Sequence, residues 1–239
     1  DRAPPGGSRP GRHRATLPRM AGRSWPVRTV PQELVDRYRA EGWWTDETMG
    51  TTVARGLAAK AGAELAVHSK LRPWRGTIAE VDRAARAFAG TLRRDGVGAG
   101  DVVVFQLPNW VEAAIAFWGA AYVGATVVPV VHFYGPKELG FILRTTRPDV
   151  VVTADRFGLL EHLPDHAELV PATGAAWFVV GDTPAGSLPP GARPFAETLD
   201  GDPVAEPAAA DPDSPSVIAF TSGTTRDPKG VIHSHRTIG

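Results

Sequence analysis

Residues 102–131 read VVVFQLPNWVEAAIAFWGAAYVGATVVPVV. The segment opens with Val102–Gln106, a run of β-branched and aromatic residues that is typical of a buried strand. It closes with Ala125–Val131, a second run of the same kind, and Gly124 before it is a natural end for a helix. Strand, helix and strand in this order predict one unit of an α/β fold.

The middle of this segment also permits a membrane span, because Ala113–Val131 carries no charged residue over a length that would cross a bilayer. We reject a span because the run has helix-start and helix-stop signals inside it. Asn109 with Glu112 three residues later resembles a capping box, and Gly124 stops the helix. Apolar side chains recur at helical spacing between these signals: Ile115, Trp118 and Tyr122.

The same alternation extends in both directions along the chain. The clearest helix is Thr77–Arg94, which Thr77 and Glu80 begin as a capping box. Further helices are predicted at Pro31–Ala40, 46–62 and Pro136–Thr146. Further strands are predicted at Leu65–Leu71, Val150–Thr153, Trp177–Val180 and Ser216–Phe220. The pattern predicts an α/β fold with mostly parallel sheets flanked by helices.

Composition excludes several classes of protein. The chain has 239 residues, of which 43% are hydrophobic and 22% charged, as in ordinary globular proteins. The 26 basic residues balance the 26 acidic ones, so the net charge gives no reason to expect a nucleic-acid partner. The absence of cysteine excludes disulfides, thiolate catalysis and cysteine-ligated metal centres.

Two segments depart from this average composition. Residues 1–28 are rich in Arg, Pro and Gly, and we expect them to form a disordered tail. Residues 182–215 are rich in Pro and acidic residues, which predicts a surface connection with a short helix near Phe195–Leu199. The tail has no continuous apolar centre of the kind that a secretory signal needs, and we expect a cytoplasmic protein.

The segment that carries chemistry follows the predicted strand Ser216–Phe220. Residues 221–230 read TSGTTRDPKG. Hydroxyl donors and successive backbone N–H groups in such a turn form a cradle for anions, Lys229 adds a positive charge, and glycine gives the backbone close access to a ligand. We therefore predict a polyphosphate-binding loop with these residues: Thr221, Ser222, Gly223, Thr224, Thr225, Lys229 and Gly230.

Other nucleotide-binding patterns fit less well. Aligned from Gly223, an ordinary P-loop would need glycine where Pro228 stands and a metal-binding hydroxyl where Gly230 stands, so a kinase-type NTPase is poorly supported. Gly96–Gly100 follows a helix rather than a strand, which excludes a dinucleotide-binding loop.

Residues 221–230 resemble the phosphate-loop signature of the adenylate-forming superfamily, which includes acyl-CoA synthetases, the adenylation domains of peptide synthetases and firefly-type luciferases. Three upstream segments resemble the family in the same order: Gly76–Glu80, Gly98–Asn109 and Trp118–Pro129. Within the family, Gly42–Trp44 and Val131–Tyr134 look most like acid–CoA ligases for fatty or alicyclic acids. The resemblance assigns residues 29–239 to the N-terminal, large domain of such an enzyme, as an incomplete domain without the small C-terminal domain.

The resemblance implies a two-step reaction. A small carboxylic acid attacks the α-phosphate of ATP, which is accompanied by Mg²⁺, and forms an acyl-adenylate and pyrophosphate. A thiol, expected to be coenzyme A, then takes the acyl group, with a carrier protein as the alternative acceptor. Lys229 is the expected catalytic residue. The family's later motifs are not found in the sequence, so a second hypothesis is a non-catalytic chain that binds phosphate weakly at most. Arg226 stands where the family often has glycine.

Two histidine pairs need separate interpretation. His162 and His166 are four residues apart, a spacing that binds metal on a helix, but Pro164 lies between them and no third ligand is evident. We interpret them as a solvated pair and predict no metal site. His233 and His235 alternate on a predicted strand and should face opposite sides, with a structural role for His235.

Overall fold

The structure is a computed structural model that describes residue 25, residues 29–221 and residues 227–238. Nearly all of the predicted disordered tail, residues 1–24 and 26–28, lies outside the described residues. So do residues 222–226 and 239.

Helices and strands alternate as the sequence predicted. The helices are α1 (Gln32–Ala40), α2 (Met49–Ala59), α3 (Ile78–Arg94), α4 (Val111–Tyr122), α5 (Pro136–Thr146), α6 (Leu163–Leu169) and α7 (His235–Ile238). The strands are β1 (Glu64–Val67), β2 (Trp74–Thr77), β3 (Val102–Gln106), β4 (Thr126–Val130), β5 (Val150–Ala154), β6 (Arg156–Phe157), β7 (Leu160–Glu161), β8 (Ala176–Val180), β9 (Ala192–Pro194), β10 (Pro215–Thr221) and β11 (Lys229–Ser234).

Most of the strands join one sheet. Within the described residues this sheet has seven strands in the order β11-β10-β4-β3-β5-β8-β9. Adjacent strands from β10 through β9 in this order are parallel. In this sheet only β10 and β11 pair antiparallel. β1 with β2, and β6 with β7, form small antiparallel ribbons. The predicted α/β class with a mostly parallel sheet is confirmed.

Helices cover both faces of the sheet. Alternate strand residues such as Val103 and Val104 point into different cores, because side chains along a strand alternate between the two faces. One core contains residues of α3 and α4, and the other contains residues of α5. Strands buried on both faces explain the nearly continuous apolar runs in the sequence.

The predicted capping box at the start of α4 is wrong, although the helix is present. Trp110 is the N-cap residue and makes no side-chain capping bond. Glu112 instead accepts two hydrogen bonds from the Arg72 guanidinium, at 3.2 and 2.7 Å. Because the helix begins one residue later than the capping-box spacing requires, Glu112 is its second residue and not its third, and its carboxylate pairs with Arg72.

The interpretation of Ala113–Val131 as two elements of an α/β core is confirmed, since α4 and β4 divide this run. None of the helices in the described part of the chain has the length and apolar character that crossing a bilayer requires.

The Pro- and acid-rich segment 182–215 is more closely integrated than a surface connection. It contributes β9 to the edge of the sheet, and the short helix predicted near Phe195–Leu199 is present as a 3-10 helix, Phe195–Asp200. Phe195 is buried against Phe88 of α3, with ring centroids 5.1 Å apart. The segment contains few large apolar side chains, so its composition did not predict that it packs against the core.

Candidate functional site

The predicted phosphate-binding segment connects β10 to β11. The carboxyl ends of the parallel strands β3, β4, β5, β8 and β10 all lie at one edge of the sheet. Ligands of open α/β sheets bind outside this edge. β10 lies directly beside β4, with Val217 opposite Val127, so Thr221 reaches the edge next to the residues that follow β4.

Thr221 and Lys229 frame the connection between the two strands. They are the final residue pair of the antiparallel ladder, and both are exposed. The Thr221 hydroxyl donates a hydrogen bond to the Lys229 carbonyl at 3.4 Å. Four predicted binding residues, Ser222, Gly223, Thr224 and Thr225, lie outside the described residues, as does Arg226. Their roles stay predictions.

Gly230 has a structural reason to be glycine that the sequence did not reveal. It does not take a left-handed φ. A Cβ atom at this position would lie 3.1 Å from Ile218 Cγ2 and 3.2 Å from two ring carbons of Phe220, its cross-strand partner. These contacts are tighter than ordinary van der Waals packing, so glycine lets the Phe220 ring lie against the strand.

The other end of the hairpin is closed by Arg236, which is only 8% exposed. Its guanidinium donates to both carboxylate oxygens of Asp213, with Nε–Oδ1 2.7 Å and Nη2–Oδ2 3.2 Å. Nη1 donates to the Thr45 carbonyl at 2.5 Å, and the guanidinium lies over the Trp44 ring, 5.2 Å from its centroid. The hydrogen bonds from Arg236 lower the pKa of Asp213. We call these four residues the hairpin clamp.

His235 extends the same contact. Its buried Nδ1 accepts the backbone N–H of Met49, the first residue of α2, at 3.1 Å. Burial lowers the pKa of His235, which favours the neutral ring that this bond requires. The expectation that His233 and His235 alternate on a strand is wrong, because β11 ends at Ser234 and His235 begins α7. The expected structural role for His235 agrees with its contact to α2.

The loop after β4 was not identified as part of a site by its own residue pattern. Gln106, fully buried at the end of β3, donates from Nε2 to the carbonyls of Val131 at 3.2 Å and Tyr134 at 2.9 Å. Phe133 on this loop is 65% exposed. The loop thus presents an aromatic side chain at the same sheet edge as Thr221. The signal in the sequence was a glutamine at the end of an otherwise apolar strand.

The prediction of a solvated histidine pair is wrong. His162 and His166 are both buried, and their rings stack with centroids 5.3 Å apart and an interplanar angle of 3°. Pro164 lies in the first turn of α6, where its missing N–H costs nothing, so it does not break the helix. Burial and, to a smaller extent, neighbouring His162 lower the pKa of His166 to about 3. Among the described residues, no group of three His, Asp or Glu side chains is arranged to hold a metal ion.

The sequence of the chain is similar to those of known enzymes. The sequence pattern of the family described as AMP-binding enzyme matches residues 57–239. The chain is similar to 4-coumarate–CoA ligase 2 of Oryza sativa subsp. japonica, with 33% identity over 172 residues, which is 68% of this chain and 29% of the relative. It is also similar to salicyl-AMP ligase / salicyl-S-ArCP synthetase of Mycobacterium tuberculosis, with 29% identity over 207 residues, which is 86% of this chain and 36% of the relative.

The fold agrees with these sequence matches. The apo structure of Mycobacterium smegmatis MbtA superimposes with a TM-score of 0.73 and 28% sequence identity, covering 88% of this chain and 38% of that one. The chain therefore spans about a third of the length of the relatives it matches.

Proposed function

The chain belongs to the AMP-binding enzyme family, and from this premise we propose that it supplies the phosphate-binding part of an AMP-forming acid–thiol ligase. Such a ligase activates a carboxylic acid with ATP and transfers the acyl group to a thiol. The observation that carries the proposal is the placement of Thr221 and Lys229 as an exposed pair at the carboxyl edge of the parallel sheet, at the two ends of a hydroxyl- and glycine-rich segment.

In the first step, a carboxylate oxygen attacks the α-phosphorus of ATP. A bond forms between them, and the bond from the α-phosphorus to the oxygen that bridges to the β-phosphate breaks. That oxygen leaves with the β- and γ-phosphates as pyrophosphate. Negative charge grows on that leaving group, so a fixed cation and hydroxyl donors beside it lower the barrier. We propose Lys229 as this cation and Thr221 as one of the hydroxyl donors. Ser222, Thr224 and Thr225 complete the proposed set, and Gly223 and Gly230 complete the backbone cradle.

Mg²⁺ enters this proposal as the ion that accompanies ATP, and the chain's own part is to hold the outer phosphates. In the second step a thiolate sulfur attacks the acyl carbonyl, forms a thioester and releases AMP. We propose coenzyme A as this thiol. The name of the rice relative specifies CoA. The name of the mycobacterial relative specifies ArCP instead, so an adenylation unit that serves a carrier protein is the second candidate.

Two classes of carboxylic acid are proposed as the substrate. The likeness of Gly42–Trp44 and Val131–Tyr134 to ligases for fatty or alicyclic acids favours that class, and Phe133 offers an exposed aromatic surface at the site edge. The two relatives are named for 4-coumarate and salicylate, which are aromatic acids. A panel with one acid of each class separates these proposals by relative rates of adenylate formation.

The test is exchange of labelled pyrophosphate into ATP, measured with each acid. We propose that the 239-residue chain binds pyrophosphate but does not complete turnover alone, so the assay includes the chain and any longer product of its gene. Acid-dependent exchange by the longer product supports the proposal. An absence of exchange with every acid, together with no pyrophosphate binding by the chain, would refute it. Formation of ADP instead of AMP would indicate a kinase-type NTPase.

A further inference from the structure

The β10–β11 hairpin, which carries Lys229, is paired with the rest of the described sheet through β10 alone. β10 is held from one side by β4, whereas β11 lies at the edge of the described sheet and pairs only with β10 there. Residues 222–228 join the two strands, and a connection of this length is not one of the two-residue turns that define hairpin register by their own geometry. Contacts at the other end of the ladder can therefore contribute to the register of β11 on β10.

The hairpin clamp provides such contacts at the end of the ladder opposite to Lys229. Asp213 lies just before β10 and Arg236 lies just after β11, so their bidentate pair joins the two strand ends. Arg236 also donates its backbone N–H to the Pro212 carbonyl at 2.9 Å, and His235 donates to the Ser214 carbonyl at 3.2 Å. A planar guanidinium that meets both oxygens of one carboxylate accepts only a narrow range of geometries, which makes it suited to fixing register.

The clamp is anchored to the body of the protein as well. Thr45 and Trp44 contact the same guanidinium, and His235 binds the first N–H of α2. α2 packs on α4. The strand end after β11 is thus attached to a helical layer outside the hairpin.

We infer that the Arg236–Asp213 pair is a positioning element: it fixes the register of β11 on β10 and thereby the face and height at which Lys229 meets the phosphates. The pair acts through the ladder, since the strands separate it from Lys229 by about 20 Å at 3.4 Å per residue. A one-residue slip would turn the Lys229 side chain to the opposite face. This inference rests on the proposed function only for its consequence at Lys229.

The first experiment compares Arg236→Leu with the parent 239-residue chain. Leu retains apolar contact with Trp44 and removes the fork. We expect amide exchange in Val231 and Ile232 to become about tenfold faster and pyrophosphate affinity to fall about tenfold. Arg236→Lys, which keeps one charge contact without the fork, should recover part of both losses. Arg75→Met is the matched control, because Arg75 pairs with Glu64 across the β1–β2 ribbon, and it should change neither.

A second experiment separates register from overall stability. The chain has no cysteine, and Ala219 and Val231 face each other directly across β10 and β11. A disulfide from Ala219→Cys and Val231→Cys suits paired strand positions and locks the native register. In the Arg236→Leu background, oxidation should restore pyrophosphate affinity and slow exchange, and reduction should reverse both effects.

Each result decides the inference. If Arg236→Leu exchanges and binds like the parent chain, the clamp does not position the hairpin. If Arg236→Leu does not fold, Asp213→Asn provides a second comparison, because the Asp213 side chain is 62% exposed and the asparagine oxygen can still accept one hydrogen bond from the buried Arg236 guanidinium. If the parent chain binds no pyrophosphate, the proposed function fails, while amide exchange still decides whether the clamp sets the register.

Discussion

Thr221 and Lys229 face each other across the last rung of the β10–β11 ladder, joined by a hydrogen bond from the Thr221 hydroxyl to the Lys229 carbonyl. Residues paired across antiparallel strands project to the same face of the sheet. The hydroxyl and the ammonium therefore leave the hairpin on one side, which is the arrangement that two groups need in order to contact a single polyphosphate.

Replacing Lys229 tests this arrangement directly. In a longer product of the gene that catalyses acid-dependent exchange, we expect Lys229→Ala to slow adenylate formation about 100-fold, because it removes a fixed charge beside the leaving pyrophosphate. Binding of the acid should change much less, since the acid contacts the other end of the reacting phosphate chain. Pyrophosphate exchange at saturating and limiting acid separates the two effects. Lys60→Ala, an exposed lysine at the end of α2, is the control. Unchanged exchange kinetics would remove Lys229 from the mechanism.

Gly230 gives a prediction about stability. We expect Gly230→Val to lower the free energy of unfolding by about 1–3 kcal/mol, because its side chain would collide with Ile218 and Phe220. Urea unfolding of the chain measures this difference. Gly230→Ala should cost less, since one methyl group is accommodated by small shifts. Equal stability of the valine variant and the parent would show that the Phe220 ring does not rest on Gly230.

Two helix glycines should respond to the same substitution with opposite signs. A Cβ on Gly90 of α3 would lie 1.9 Å from the Asp202 carbonyl oxygen, so Gly90→Ala must displace the segment after the 3-10 helix. We expect a loss of more than about 2 kcal/mol. Gly56 of α2 has no atom within 4 Å of the same position, so Gly56→Ala should gain about 0.5–1 kcal/mol. Thermal unfolding of both variants checks the pair, and a neutral Gly90→Ala would show that residues 200–204 do not pack on α3.

Local sequence signals predicted the regular elements well where they agreed with burial. The Thr77–Glu80 capping box, the spacing of Leu139, Ile142 and Leu143, and the apolar runs at β3, β4, β5 and β8 all correspond to observed elements. These features depend on contacts within a few residues or on simple burial. A periodic pattern records both directly.

Features that depend on distant partners were missed. Glu112 has the right spacing for a capping box but meets Arg72, forty positions away in sequence. His162 and His166 lie in a polar segment whose sequence suggests exposure to solvent, yet tertiary packing buries both of them. The hairpin clamp joins Trp44 and Thr45 to Arg236 across most of the chain. A local sequence pattern does not record pairings between distant residues. The contacts that hold the β10–β11 hairpin were therefore identified only from the structure.

The buried histidine pair predicts how stability depends on pH. An imidazole in the unfolded chain titrates near 6.5, whereas burial lowers the pKa of His166 to about 3 and also lowers that of His162. Below pH 6.5 the unfolded state therefore binds more protons at these histidines than the folded state does. The stability contributed by neutral His166 is complete above about pH 6.5 and is lost as the pH falls toward 3, by at most about 1.4 kcal/mol per pH unit, and neutral His162 acts in the same direction.

Replacing one ring of the pair isolates this effect. We expect His166→Met to reduce the slope of unfolding free energy against pH between about 6.5 and 5.5, where ordinary carboxyl groups, with pKa values near 4, remain almost fully ionised. The slope is measured by urea unfolding at several pH values, so that a constant loss from imperfect packing does not affect it. His68→Gln, at an exposed position, should leave the slope unchanged. An identical slope in His166→Met and the parent would mean that His166 is already accessible to protons in the folded chain, which is incompatible with its packing against His162.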